Sequence, residues 1–307
     1  MTDLYDELNE KFLSSDFAEL ITFFKSFQNR QDLFEWMRKR PKSEPIVSLV
    51  PGDEFAVVVI PTADLESERV SICRDKIYNG ISQVYVESHK PIDKFFNYSH
   101  NVNVGVKAAL RFKPDWIIIS NDDMILKDGP KKLMDNLRLH DYNEKNTLFT
   151  NPAGDYHSFP RFIGSPTILY NLITHYHPNK YRKIRLNLWK QFGVKYIDAI
   201  KKGNIGFLSR LTYRQLKPHL LTGSFTILSR QFVSEQKVLF DETFLNGGED
   251  TDLSLRLYEE PDKLGQIKYS IGDMIGTSLG TGWNRIMRNV VNESYLSYKI
   301  EKGLITL

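Results

Sequence analysis

A single cysteine, Cys73, is all the thiol chemistry these 307 residues carry. That excludes a disulfide scaffold and a cysteine-ligated zinc centre, and it suits a reducing compartment. No apolar run approaches the ~18 residues a membrane-spanning helix needs. The opening stretch, Met1-Thr-Asp-Leu-Tyr-Asp-Glu7, lacks the basic and apolar regions of a secretory leader. A cytoplasmic protein with at most peripheral membrane contact is therefore expected, and the glycosylation-like triplets at Asn97 and Asn292 read as chance matches. Charge of one sign is scarce as well. With 41 Lys and Arg against 38 Asp and Glu the net charge is +3, so no global affinity for a polyanion follows and no nucleic-acid partner is expected. Glycine-rich phosphate loops are also missing. Pro61-Thr-Ala-Asp-Leu-Glu66 follows the first long apolar run without a glycine, which argues against a dinucleotide oxidoreductase. The absence of Gly-x-x-x-x-Gly-Lys excludes a P-loop enzyme, and the glycine-rich loop of a sugar nucleotidylyltransferase is likewise absent. Neither an internal repeat nor a low-complexity tract is found.

What is present is ample apolar material, 41% of residues, of which aromatics make up a generous share. Residues 1–45 read as helical. Phe17, Leu20, Ile21, Phe24 and Phe27 recur at helical spacing, Asp16 with Glu19 resembles a capping box, and Leu33, Phe34, Trp36 and Met37 form a second amphipathic piece. A helical cap packed on the main domain is expected there, with Pro41–Pro51 as a linker. From Phe55 the pattern changes. A β-branched run to Ile60, a helix over Leu65–Tyr78, a strand over Ser82–Val86, a helix over His100–Arg111 and a strand over Trp116–Ser120 alternate at the spacing of a parallel sheet covered by helices. Further strands are expected at Leu220–Leu228 and Gln266–Ile271, and a C-terminal helix from Trp283.

In such sheets ligands bind beyond the carboxyl ends of the strands. Thr62, Glu87 and Asn121-Asp122-Asp123 occupy those ends. A buried strand that runs into adjacent carboxylates is costly unless a cation or a donor-rich ligand sits there. A second acidic cluster, Glu249, Asp250 and Asp252, follows Gly247-Gly248 at the mouth of a helix. Read alone it is a helix start favoured by the dipole; with the first it points to a metal site and a general base in one cleft. Asp252 and Arg256 lie four apart, the spacing of a surface ion pair. Between the clusters, residues 155–220 hold twelve Lys and Arg against only Asp155 and Asp198. That stretch reads either as a solvated basic helix pair or as a cover over an anionic substrate. Its His175-Tyr-His177 offers little as a metal site without nearby carboxylates.

Four pieces in this order resemble GT-A fold glycosyltransferases of the inverting family 2 type. They are Val57-Val-Val-Ile-Pro-Thr62, then Asn101-Val-Asn-Val-Gly-Val-Lys-Ala108, then Ile117-Ile-Ile-Ser-Asn-Asp-Asp123, and finally Leu221-Thr-Gly-Ser-Phe-Thr226 with Phe240-Asp-Glu-Thr-Phe-Leu-Asn-Gly-Gly-Glu-Asp-Thr-Asp-Leu-Ser-Leu-Arg256. The resemblance spans about residues 55–280. It implies an α/β fold with a mainly parallel central sheet flanked by helices, a glycosyltransferase domain at 51–282 with a basic insert at 155–220, a helical extension and linker at 1–50, and a C-terminal helix at 283–307. It implies transfer of a sugar, with inversion, from a UDP, GDP or dTDP sugar to a hydroxyl of a glycan, lipid-linked or protein acceptor. Asp123, Asp122 and Asn121 would hold Mg²⁺ or Mn²⁺, and Pro61, Thr62, Ala63, Glu87, Asn103, Gly105, Asp122 and Gly223 would form the donor pocket. Asp250 would be the general base and Glu249 would orient the acceptor or donor sugar. Two departures matter: Asn121 replaces the first Asp of Asp-x-Asp, and the His that many relatives carry after the last strand is missing, with Asp273 nearby. A catalytically silent sugar-nucleotide-binding or structural member is the alternative.

Overall fold

A computed structural model of the chain describes residues 2–14, 16–88, 93–150, 156–160, 213–218, 224–273 and 282–305. Three helices come first, α1 (Thr2–Leu13), α2 (Phe17–Lys25) and α3 (Arg30–Lys39). Then follow β1 (Ile46–Val50), β2 (Asp53–Thr62), α4 (Glu68–Ile72) with a π-turn at Cys73–Ile77, β3 (Ile81–Glu87) and α5 (Tyr98–Ala109). After them come β4 (Trp116–Ser120), β5 (Met124–Leu126), α6 (Pro130–Leu137), β6 (Thr147–Phe149) and β7 (Tyr156–Pro160). The remainder is β8 (Tyr213–Pro218), β9 (Phe225–Ser229), α7 (Arg230–Glu235), α8 (Glu249–Leu257), β10 (Leu264–Gln266), β11 (Ile271–Asp273) and α9 (Gly282–Glu301).

Seven strands form one mixed sheet in the order β1-β3-β2-β4-β9-β6-β10. Five of them run the same way; β1 and β9 oppose their neighbours. Successive strand residues face opposite sides, and β2 uses both. Ala56, Val58 and Ile60 pack with Val70, Cys73 and Ile77 of the α4 segment and with Leu133 and Leu137 of α6. Val57 and Val59 pack on the other side with Val102, Val106 and Ala109 of α5 and with Leu253 and Leu257 of α8. A sheet buried on both faces needs continuous apolar strands, which is why Phe55–Ile60 and Trp116–Ile119 were legible in the sequence. The class is α/β, with helices on both faces of a mostly parallel mixed sheet.

The first helices bury their aromatic faces together. Phe12, Phe23, Phe24, Phe27, Phe34 and Trp36 form a cluster that also takes in Leu245 and, from α9, Val291, Tyr295 and Tyr298. Asp16 caps α2 by accepting from the Ala18 amide at 2.8 Å. The stretch read as a linker instead contains β1, paired antiparallel with β3. Ile46, Val47 and Leu49 are exposed on this edge strand, and its short run between Pro45 and Pro51 hides the strand signal. The strand expected over Gln266–Ile271 is divided between β10 and β11, with Ile267 and Tyr269 turned into the core between them. Among the described residues, no helix is long and apolar enough to cross a membrane.

Candidate active site

Parallel register brings the first acidic residues together. Thr62 at the end of β2 pairs with Glu87 at the end of β3, and Asn121 follows β4 directly, its amide donating to the Ser224 carbonyl at 3.0 Å. The Thr62 hydroxyl donates to Asp122 Oδ2 at 2.7 Å. Glu87 Oε1 accepts from the Leu65 amide at 3.3 Å, which fixes the turn after β2. Pro61 is buried opposite Val86, and Ala63 is half-buried in that same turn. Asp123 is 6% exposed. Burial raises the Asp122 carboxyl above its ordinary range, the neighbouring charge of Asp123 adds to this, and the Thr62 hydrogen bond works against both. Beneath them the Cys73 thiol donates to the Asp122 carbonyl at 3.4 Å. Burial pushes that thiol up to about 12, so it stays protonated.

The second acidic pair opens α8. The chain reaches it through Asn246 at φ 53° and Gly248 at φ 90°, a left-handed turn that a side chain other than Asn or Gly resists. Glu249 is 7% exposed. Burial, reinforced by the charge of Asp250, pushes its carboxyl up to about 8, while the cationic Arg288 of α9 pulls the other way. Asp250 Oδ1 accepts from the Thr251 amide at 2.8 Å.

Tyr98, in the first turn of α5, joins the two pairs. Its hydroxyl donates to Asn121 Oδ1 at 3.2 Å. Burial holds the phenol far above its ordinary value, and the carboxylates of Glu249, Asp250, Asp123 and Asp122, in that order, raise it further. All four acidic groups thus act on one phenol, at the carboxyl ends of β2, β3 and β4 and the amino end of α8. Tyr98 was not among the residues singled out from the sequence. The helix was expected from His100, whereas the Asn97 side chain caps it by accepting from the His100 amide at 2.9 Å, so Tyr98 falls inside.

Other expected site residues serve the scaffold. Asn103 donates to the Phe240 carbonyl at 2.9 Å and to Glu242 Oε1 at 3.0 Å, and accepts from the Phe240 amide at 3.0 Å. Its amide ties α5 to the segment before α8. Gly105 lies where a Cβ would come within 2.4 Å of Val59 and 2.6 Å of Val86, so it lets α5 lie on the sheet. At Gly248 a Cβ would meet the Phe244 ring at 3.2 Å, so the glycine lets the turn lie against that ring. Asp252 was read as half of a surface pair. It is 1% exposed, salt-bridged to both Arg256 and Lys299, and the charge that buries it comes from α9, far along the chain. Asn97 and Asn292 are buried, with their amides donating to backbone carbonyls.

Gly223, His175 and His177, and most of the basic stretch lie outside the described residues, which include only β7 and β8 of it, paired antiparallel. The backbone of Asp273 pairs with Met124, next to Asp123. Among the described residues, no three His, Cys, Asp or Glu side chains gather closely enough to hold a metal by themselves. No protein-family model matches the chain, and no curated protein resembles it in sequence.

Proposed function

We propose that the chain transfers a sugar, with inversion, from a nucleotide-diphosphate sugar to an acceptor hydroxyl, on a GT-A type scaffold. The observation that carries this reading is that Tyr98 links the two acidic clusters, its hydroxyl donating to Asn121 at 3.2 Å and its amide to Asn246, just before Gly247-Gly248-Glu249-Asp250, at 2.7 Å. The residues at the strand ends fit a hard divalent cation. Their donors are carboxylate and amide oxygens, the one thiol nearby stays protonated, and the mutual repulsion of Asp122 and Asp123 is relieved by positive charge. Asp123, Asp122 and Asn121 would hold Mg²⁺ or Mn²⁺, which when bound offsets the charge that grows on a departing nucleoside diphosphate. Thr62 keeps the Asp122 carboxylate turned to the site, and Glu87 braces the turn against which a base or ribose would rest.

Asp250 accepts the proton of the acceptor hydroxyl while its oxygen bonds to the anomeric carbon and the bond from that carbon to the phosphate oxygen breaks. Glu249, protonated near neutral pH, donates a hydrogen bond to a sugar hydroxyl. Two neighbouring carboxyls whose environments push their pKa values apart divide acid and base roles in this way.

The reading is tested with UDP, GDP and dTDP, each with and without Mn²⁺, by thermal shift, because a ligand that binds only the folded chain raises its melting temperature. One of the three is expected to stabilise the wild type in the presence of metal, and Asp123→Ala is expected to abolish that shift while leaving the apo melt intact. With the matching sugar donor, Asp250→Asn is expected to lower turnover by ~10²–10⁴-fold at unchanged donor affinity. Metal-dependent nucleotide binding without hydrolysis or transfer by the wild type would assign a catalytically silent binding protein instead.

A further inference from the structure

One face of α9 carries a stripe of buried polar residues. Arg288 is 9% exposed, Asn292 3% and Lys299 9%, and Tyr295 lies between them. Their spacing of four, three and four residues puts them on one side of the helix. Every one of them reaches the segment 241–252 that leads into and opens α8. Asn292 clamps Leu245 at both ends, accepting from its amide at 2.8 Å and donating to its carbonyl at 3.0 Å. Tyr295 and Lys299 both donate to Asp241 Oδ2, each at 2.9 Å. Lys299 also salt-bridges Asp252. Arg288 acts on Glu249 itself.

Leu245 immediately precedes Asn246-Gly247-Gly248, the left-handed turn that sets the direction of the next two side chains. A Cβ placed on Gly247 would stand 3.4 Å from Asn292 Nδ2, and one on Gly248 would stand 3.5 Å from Asn292 Cβ. The turn therefore rests on Asn292 along its length. A strained turn persists only where its surroundings over-determine it. From the α5 side Asn246 accepts from the Tyr98 amide at 2.7 Å and donates to the Phe96 carbonyl, and Asn97 donates to the Phe244 carbonyl; from α9 come one bidentate amide before the turn and one ion pair just after it. Removing the amide leaves a buried N–H and a buried C=O of Leu245 without their partner.

We propose that Asn292 is a positioning residue, which aims the Glu249 and Asp250 carboxyls by holding the Leu245–Gly248 backbone. The last helix thereby belongs to the site, although none of its residues was read as functional in the sequence. This rests on the transferase reading for its catalytic meaning, and on the hydrogen bonds alone for its geometry.

The test uses the full chain as Asn292→Ala and, in case that variant fails to fold, Asn292→Ser, which retains one hydrogen-bonding group. The Glu249 carboxyl carbon is followed by NMR across its titration in wild type and variants without added metal, with Asp250, Tyr98 and Arg288 as the other charged or titratable neighbours acting on it. A folded variant is expected to titrate away from the wild-type midpoint, because Glu249 no longer keeps its place among those groups. Turnover is expected to fall about 10²-fold, as small misplacements of catalytic groups do, while UDP, GDP or dTDP affinity with Mn²⁺ stays at the wild-type value. A folded variant with an unchanged Glu249 midpoint overturns the proposal, and so does unfolding of both variants, which makes Asn292 a residue of stability alone. Should the wild type transfer no sugar, the proposed reaction fails while the titration still decides the positioning role.

Discussion

Burying one carboxyl beside another makes the ionised state expensive, and Glu249 carries both burdens. Its value of about 8 in the folded chain lies above the ordinary 4.5, so the folded state holds the proton more tightly than the unfolded state does. The associated stability is fully present below about pH 4.5 and is lost as pH rises through about 8. Glu249→Gln, neutral at every pH, is expected to remove that loss. Thermal melts at about pH 5 and about pH 9 should show the variant gaining on the wild type at the higher pH, and an equal difference at both would mean that Glu249 ionises freely. Sequence could place Glu249 and Asp250 at a helix start but not say that the fold buries Glu249 and raises its carboxyl. That depends on Arg288 of α9 and Tyr98 of α5, which are distant in the chain. Asn103 and Gly105 show the same limit from the other side. An Asn and a Gly on a helix that meets the sheet look alike in sequence whether they face a ligand or a neighbouring strand, and here the close approach of Val59 and Val86 decides for packing.

Among the elements, α8 depends on α9 more than on its own sequence. The Asp252–Arg256 spacing was visible, but the two residues that make the arrangement buried, Lys299 and Asp241, come from elsewhere. Burial works to raise the Asp241 carboxyl, yet the charge of Lys299 and hydrogen bonds from it and from Thr243 outweigh this and hold it below the usual range. Lys299→Met leaves two carboxylates facing each other without their shared cation. Breaking a buried pair in this way typically costs about 3–5 kcal/mol, and denaturant unfolding should read a loss of that order. Lys299→Met with Asp252→Leu should recover only part of it, since one of the two carboxylates is then gone but Asp241 still lacks its cation and Arg256 loses a partner. The strands divide by the same logic of context. β2 and β4 were readable because both faces are buried and the apolar run is unbroken. β1 has an exposed outer face, and β5, β6, β10 and β11 are three residues each, too short for periodicity to register.

At the scale of the whole molecule, the N-terminal helices act as a cover for α9 and Leu245. Phe34 meets Tyr295 edge-on at 5.3 Å between ring centres and Tyr298 at the same separation, and Arg30 bridges to Glu301 at 2.7 Å. Arg40, almost wholly buried, spends its guanidinium on Asn9 and on the carbonyls of Lys94, Phe95 and Phe96, just before α5. A chain lacking residues 1–40 is expected to melt at lower temperature and to bind a hydrophobic dye that the full chain does not, because it exposes the aromatic faces of α9. Unchanged melting and no dye binding would show that the extension is independent of the rest.

The grip of α9 on the turn before α8 also sets an order of events during synthesis. Leu245 and its partner Asn292 are separated by 47 residues, and the turn that bears the acidic pair has its bracing amide only after that later segment has been translated. The sheet can assemble on the ribosome while α8 still lacks its anchor. A nascent chain halted before residue 282 would therefore carry the strand ends with Asp122 and Asp123 formed and a Glu249–Asp250 pair without its α9 brace. The aim of the Glu249–Asp250 pair would then be settled only once α9 has been made and docked.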